Sequence, residues 1–206
     1  NGHDSAYGAI DYLSEEDWAN VDLRYTLEVY DYDESGKYVD ENGEPVEPIK
    51  DRQVQIVEDY QNVTFELRLV QGRNYHFVVF ADFIEKKEDG TVVEYHTIGD
   101  TLADIKIDND GINNELTDAY FATKKVNPGN PAHNTETIVL KRPYAKVRVV
   151  ATDLAELNLN VDPGHVDVVY TTSYCTAFNA LTAASYTSLD VIALISKLRN
   201  FMPSGR

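Results

Sequence analysis

Residues 62–84, NVTFELRLVQGRNYHFVVFADFI, decide how this chain is read. Val63, Phe65, Leu67 and Leu69 alternate with Thr64, Glu66 and Arg68. Side chains on a strand point to opposite faces in turn, so this half predicts a strand with one buried face. Gln71-Gly72-Arg73 follows as a tight-turn signal. After it, residues 74–84 lose the alternation and become apolar on both parities, which predicts a strand buried on both faces.

Working outward, the same signals recur. Residues 21–32, VDLRYTLEVYDY, alternate and are rich in β-branched and aromatic side chains. Residues 52–58, RQVQIVE, alternate again. Asp89-Gly90, inside KKEDG, predicts a hairpin turn into residues 91–98. Residues 102–107 and 165–172 read as further strands, and residues 108–134 as loop or weak helix. About nine short strands with turn chemistry between them predict an all-β antiparallel sandwich. A parallel sheet would need crossover helices, and the sequence offers no regular series of them.

The two ends differ from the middle. Residues 1–20 are polar and read as an irregular segment. Residues 21–182 read as the β-sandwich. In residues 183–206, Leu189, Ile192, Ile195 and Leu198 stand at helical spacing behind the cap-like pair Thr187 and Asp190. A C-terminal helical tail is expected there, as an appendage or the remnant of a second domain.

Charge narrows the partners. The formal net charge is -17, and residues 1–60 hold 17 Asp and Glu against 4 Lys and Arg. So acidic a surface repels phosphate backbones and anionic membranes, which argues against nucleic acid as a partner. The single cysteine, Cys175, has no partner for an internal disulfide and reads as a small buried apolar residue. No apolar run is long enough for a membrane helix.

Candidate chemistry is sparse. Asp31, Asp33, Ser35 and Gly36 fall at positions 1, 3, 5 and 6 of a calcium loop, but position 12 is Asn42 where a bidentate Glu belongs. The better reading is a hairpin with a solvated acidic tip. Residues 107–111, IDNDG, match less well, because Lys106 stands where the first acid should. The histidines, His3, His76, His96, His133 and His165, show no metal-pair spacing, although His76 and His96 could face each other on neighbouring strands. Nucleophile elbows, phosphate loops, zinc motifs and cofactor motifs are missing, so the chain does not read as an enzyme.

One basic cluster interrupts the acidity. Residues 140–154, LKRPYAKVRVVATDL, hold Lys141, Arg142, Lys146 and Arg148. Ala145, Val147 and Val149 alternate with Lys146 and Arg148, so this reads as a half-buried strand whose outer basic row faces acidic neighbours.

Four blocks together resemble a known family: residues 63–83, DAYFA at 118–122, residues 140–153, and TAFNALT at 176–182. In order and spacing they resemble the Bacteroidales fimbrillin-like proteins, which are FimA/Mfa-type pilus subunits and related adhesins. The resemblance covers roughly residues 60–182. It implies a transthyretin-like Greek-key β-sandwich and export as a lipoprotein, anchored by a lipid outside this chain, to the outer membrane surface. It also implies assembly into a pilus by donor-strand exchange. An Arg-specific protease removes a strand, and a neighbouring subunit fills the slot by β-strand addition. The expected partners are other pilus subunits and a host protein or glycan receptor. Arg52, after the Pro-containing acidic loop, is the expected processing site, and cutting there would free the strand at residues 21–32. The competing expectation is a carbohydrate-binding adhesin module that never polymerises and lines a shallow groove with exposed Tyr or Trp18.

Overall fold

A computed structural model describes residues 21–31, 52–58, 61–107, 115–129, 135–143, 166–169, 175–186 and 195–198. The strands are β1 (Val21–Asp31), β2 (Gln53–Val57), β3 (Tyr75–Lys86), β4 (Val92–Glu94), β5 (His96–Ile98), β6 (Ile105–Ile107), β7 (Ala119–Val126), β8 (Val166–Val169), β9 (Ala177–Asn179), β10 (Ala184–Tyr186) and β11 (Ile195–Leu198). Every pairing among them is antiparallel, and the described helix is one 3-10 turn, Glu115–Thr117. The fold is all-β.

The main sheet runs β2-β1-β3, and the far edge of β3 is shared between β7 and β4. β3 is its spine. Residues 75–84 are all buried, as the loss of alternation predicted. β1 pairs with β3 over its whole length, from Val21 opposite Glu85 to Asp31 opposite Tyr75. This register divides the sheet into two faces. Arg24, Thr26, Glu28 and Tyr30 share the front face with His76, Val78, Phe80 and Asp82. Leu23, Leu27 and Val29 share the back face with Tyr75, Phe77, Val79 and Phe83.

The front face packs on a second sheet of order β10-β9-β6-β5. Tyr30, Val78 and Phe80 meet Leu102, Ile105 and Phe178 there, with Phe121 edge-on to Phe178 at 4.7 Å. Burying one such side chain contributes about 1.5–3 kcal/mol. The back face is covered at its centre by two extended segments. Phe65, Leu67 and Leu69 come from residues 61–70, and Ile138 and Leu140 from residues 135–140.

Turns fall where the sequence placed them. Gly72 and Gly90 have φ of 79° and 84°. In the second turn Gly90 N donates to Lys87 O, and the Asp89 carboxylate accepts from Thr91 N. The predicted strand at residues 91–98 is in fact two. Val92–Glu94 pairs with β3 and His96–Ile98 with β6, so the chain changes sheet at Tyr95. The Tyr95 hydroxyl donates to Glu85 Oε2 at 2.5 Å and fastens this corner to β3.

Three expectations need correction. Residues 108–134 were read as loop or weak helix, but they include the eight-residue strand β7 along β3. Its pattern is masked by Lys124 and Lys125, whose exposed or edge-facing ends hide a strand that β3 defines from the other side. The helical tail is contradicted at Ile195–Leu198, which form a strand paired with Val166–Val169. Ile195 is β-branched and favours a strand, and β8 supplies a ladder. Cys175 is exposed rather than buried, because it lies just ahead of β9, outside the core. Residues 1–20, Asp33, Ser35 and the row Ala145–Ala151 lie outside the described residues.

Candidate functional site

Charged residues inside a core strand demand partners, because an unpaired buried charge costs several kcal/mol. β1 carries three on its front face, Asp22, Arg24 and Glu28, and Asp22 is paired with Lys86. Glu28 has a side chain with no solvent exposure. Its Oε1 accepts from Arg52 Nε at 2.9 Å, and its Oε2 accepts from the Tyr30 hydroxyl at 2.6 Å and from Leu102 N at 2.8 Å. Arg52 sits one step beyond the β1–β2 register, next to the pair Leu27–Gln53, which brings it opposite Glu28. Its Nη2 donates to Gly99 O and Asp100 O at 2.9 and 2.7 Å.

The second acid is Asp82 of β3, also fully buried. Arg24 lies directly opposite in the register and donates from Nε and Nη2 at 2.9 and 2.7 Å, a bidentate pair. Arg24 also reaches Glu94 at 2.8 Å and His96 O at 3.3 Å. Burial pulls the Arg24 guanidinium down, but the hydrogen bonds and charge of Asp82 and Glu94 outweigh it and hold its pKa above the ordinary value. His96 places Nδ1 3.6 Å from Asp82 and stands edge-on to Phe80 at 5.5 Å.

Both acid–base pairs therefore clamp the segment 94–102 onto the front of β1. Every oxygen of the two acids accepts from a fixed donor and is closed to solvent, an arrangement that holds geometry. The sequence signal was available: Asp82 within FVVFADFI, and Arg24 and Glu28 at a spacing of four within a strand. The sequence reading passed over Glu28, Tyr30 and Asp82.

A third pair ties down the start of the basic cluster. Arg142 Nε donates to both Asp118 oxygens at 2.9 and 2.8 Å, and its guanidinium lies 5.3 Å from the centre of the Tyr120 ring. Lys141 exchanges backbone hydrogen bonds with Phe121 of β7. For Arg142 the expected acidic neighbour is thus Asp118, which is buried.

The other candidates are scattered. Asp31 closes β1 and pairs with Arg73 at 3.1 Å. Among the described residues no group of three His, Cys, Asp or Glu could hold a metal ion. His76 and His96 do not face each other: His76 lies on β3 opposite Lys125 of β7, whereas His96 sits beside Asp82, six residues further along β3. Burial and the charge of Lys125 lower the His76 pKa to about 4.

Two kinds of unfilled backbone remain. Residues 62–69 and 135–140 lie extended over the back face with alternate residues half-buried, yet among the described residues neither forms a ladder. Gln55 and Lys124 side chains hold them by Thr64 O and Thr137 O. The outer edge of β2 is likewise unpaired among the described residues, and Val54 and Ile56 beside it are 47 % and 52 % exposed. All the exposed large apolar side chains among the described residues are valine or isoleucine.

No helix of the described residues is long and apolar enough to cross a membrane. No curated protein and no solved structure matches the chain. Residues 4–197 match a family described as a family of unknown function, DUF6562, and the chain belongs to that family.

Proposed function

We propose that this chain is a cell-surface structural protein, a pilus subunit of the fimbrillin-like kind, with a transthyretin-like Greek-key sandwich assembled by donor-strand exchange. The observation that carries this reading is the position of β1. It runs between β2 and β3 with all eleven residues in register with β3. Cleavage after Arg52 would leave β1 held by non-covalent contacts alone. Its departure would open a slot between two strands, lined on the back by Phe77, Val79 and Phe83 and on the front by Phe80 and Asp82. A strand from a neighbouring subunit would restore the backbone ladder, and alternate pockets would set its register. Arg52 is engaged with Glu28, so processing there requires that this pair first open.

The alternative, a glycan-binding module, draws no support from the exposed aliphatic residues, since sugars stack on aromatic rings. The deciding experiment is Arg-specific proteolysis of the folded protein, followed by denaturing gels run without boiling. A heat-labile ladder of multiples with a new N-terminus at Gln53 is the expected result. An uncut monomer with its original N-terminus overturns the proposal.

A further inference from the structure

The outer edge of β2 offers a second interface, independent of the strand-exchange reading. β2 is five residues long, carries no charge, glycine or proline, and reads Gln-Val-Gln-Ile-Val. Native proteins usually protect an edge strand with charge, proline or a bulge. Here none of those devices stands in the strand, and among the described residues nothing pairs with its outer edge. The register with β1 puts Val54 opposite Thr26 and Ile56 opposite Arg24, so both belong to the front face, where they lie half-exposed.

The occupant is written into the strand. An antiparallel pairing of β2 with its own copy, centred on Gln55, sets Val54 against Ile56 of the partner and Gln53 against Val57. One step outward, it sets Arg52 against Glu58. Glu58 is exposed and acts on Lys86 only through its charge. Arg52 holds Glu28, Gly99 and Asp100 through Nε and Nη2, and its Nη1 makes no contact among the described residues. The twofold pairing therefore joins two apolar pairs into one front-face cluster and gives each end a base opposite an acid, the arrangement favoured for cross-strand neighbours. It is isologous, with one patch serving both copies.

We infer that β2 is the docking edge for a second copy of this chain, paired antiparallel about Gln55. Two copies of net charge -17 repel at long range. Salt screens that repulsion, so this association strengthens as ionic strength rises, whereas capture of a basic partner would weaken.

Sedimentation of the uncleaved protein across a concentration series tests this at low and high salt. A monomer–dimer equilibrium favoured by salt is expected, and Ile56→Lys should weaken it about tenfold or more. Register is read separately in a Cys175→Ser background. Mixing a Val54→Cys protein with an Ile56→Cys protein should give a disulfide-linked dimer on mild oxidation, far more than either alone. A monomer at every concentration, a dimer indifferent to Ile56→Lys, or equal cross-linking in all combinations each overturns the inference. Because the protein is uncut, these outcomes are separate from those of the proteolysis experiment.

Discussion

Glu28 and Arg52 form the pair on which the front face turns, and their coupling can be worked from geometry. Removing the Glu28 charge by Glu28→Gln keeps the volume but sets an amide donor against the Arg52 guanidinium. Hydrogen bonds to a charged group contribute about 1.5–3 kcal/mol each, so this change costs about 2–3 kcal/mol. Arg52→Met leaves a buried carboxylate with only Tyr30 and Leu102 as donors and costs about the same. In the double variant the glutamine oxygen still accepts from Tyr30 and Leu102, no charge is buried, and the methionine covers the site. The two costs then overlap, and the double variant should be less damaged than the sum by about 2 kcal/mol. Urea unfolding followed by far-ultraviolet circular dichroism measures all four corners of the cycle. A coupling below about 0.5 kcal/mol would mean that Glu28 draws its stability from Tyr30 and Leu102 alone, and the clamp argument would be wrong.

Two further outcomes follow from the same face. Thr26 lies between Arg24 and Glu28, is buried, and its hydroxyl has no hydrogen-bond partner among the described residues. Thr26→Val keeps the shape and removes that group, so it should stabilise the fold by about 1 kcal/mol, read as a higher urea midpoint; an equal loss would show that the hydroxyl is satisfied. His76 has a pKa lowered from 6.5 to about 4, so the unfolded chain binds its proton first. Its contribution is fully present above pH 6.5 and lost as pH falls toward 4, a change of about 3 kcal/mol. His76→Gln should flatten stability by that amount between pH 7 and 4; an unchanged slope would place the titration elsewhere.

The main strands were legible because burial writes a period into them. Residues 74–84 lost their alternation because β3 is covered on both faces, and β1 and β2 kept enough of theirs to be seen. Residues 62–69 show why a pattern is not a ladder. Phe65, Leu67 and Leu69 are half-buried in alternation as expected, yet among the described residues no strand pairs with the segment through a backbone ladder. Side-chain periodicity reports which atoms leave water, and says nothing of where backbone groups go. β7 was missed for the converse reason: its ladder is complete while Lys124 and Lys125 blur its period. The charged partners were illegible because Glu28 and Arg52, or Arg24 and Asp82, are joined by register, which the sequence does not state. Helical spacing at Ile195 and Leu198 misled because two apolar residues within a four-residue strand are too few to fix a period.

If β1 is the strand that is exchanged, its charges decide what can replace it. Asp82 stays behind when β1 leaves, an acid lining the front of the slot, whereas Arg52 departs with β1 as the last residue of the released segment. An entirely apolar donor would bury Asp82 without a partner, at a cost of about 3–5 kcal/mol. A donor that seats well must bring a base opposite Asp82, the position that Arg24 holds in β1. Shifting such a donor by one residue turns every side chain to the wrong face, and shifting it by two moves the base off Asp82. Charge thus sets register where backbone hydrogen bonds alone would tolerate several. The protein cut after Arg52, freed of β1, should take up a peptide of the sequence of residues 21–31. The same peptide with Arg24→Leu should bind about a hundredfold more weakly by fluorescence anisotropy. Equal binding of the two peptides would show that apolar pockets alone select the strand, and the Arg24–Asp82 pair would then be a feature of the β1-bound state only.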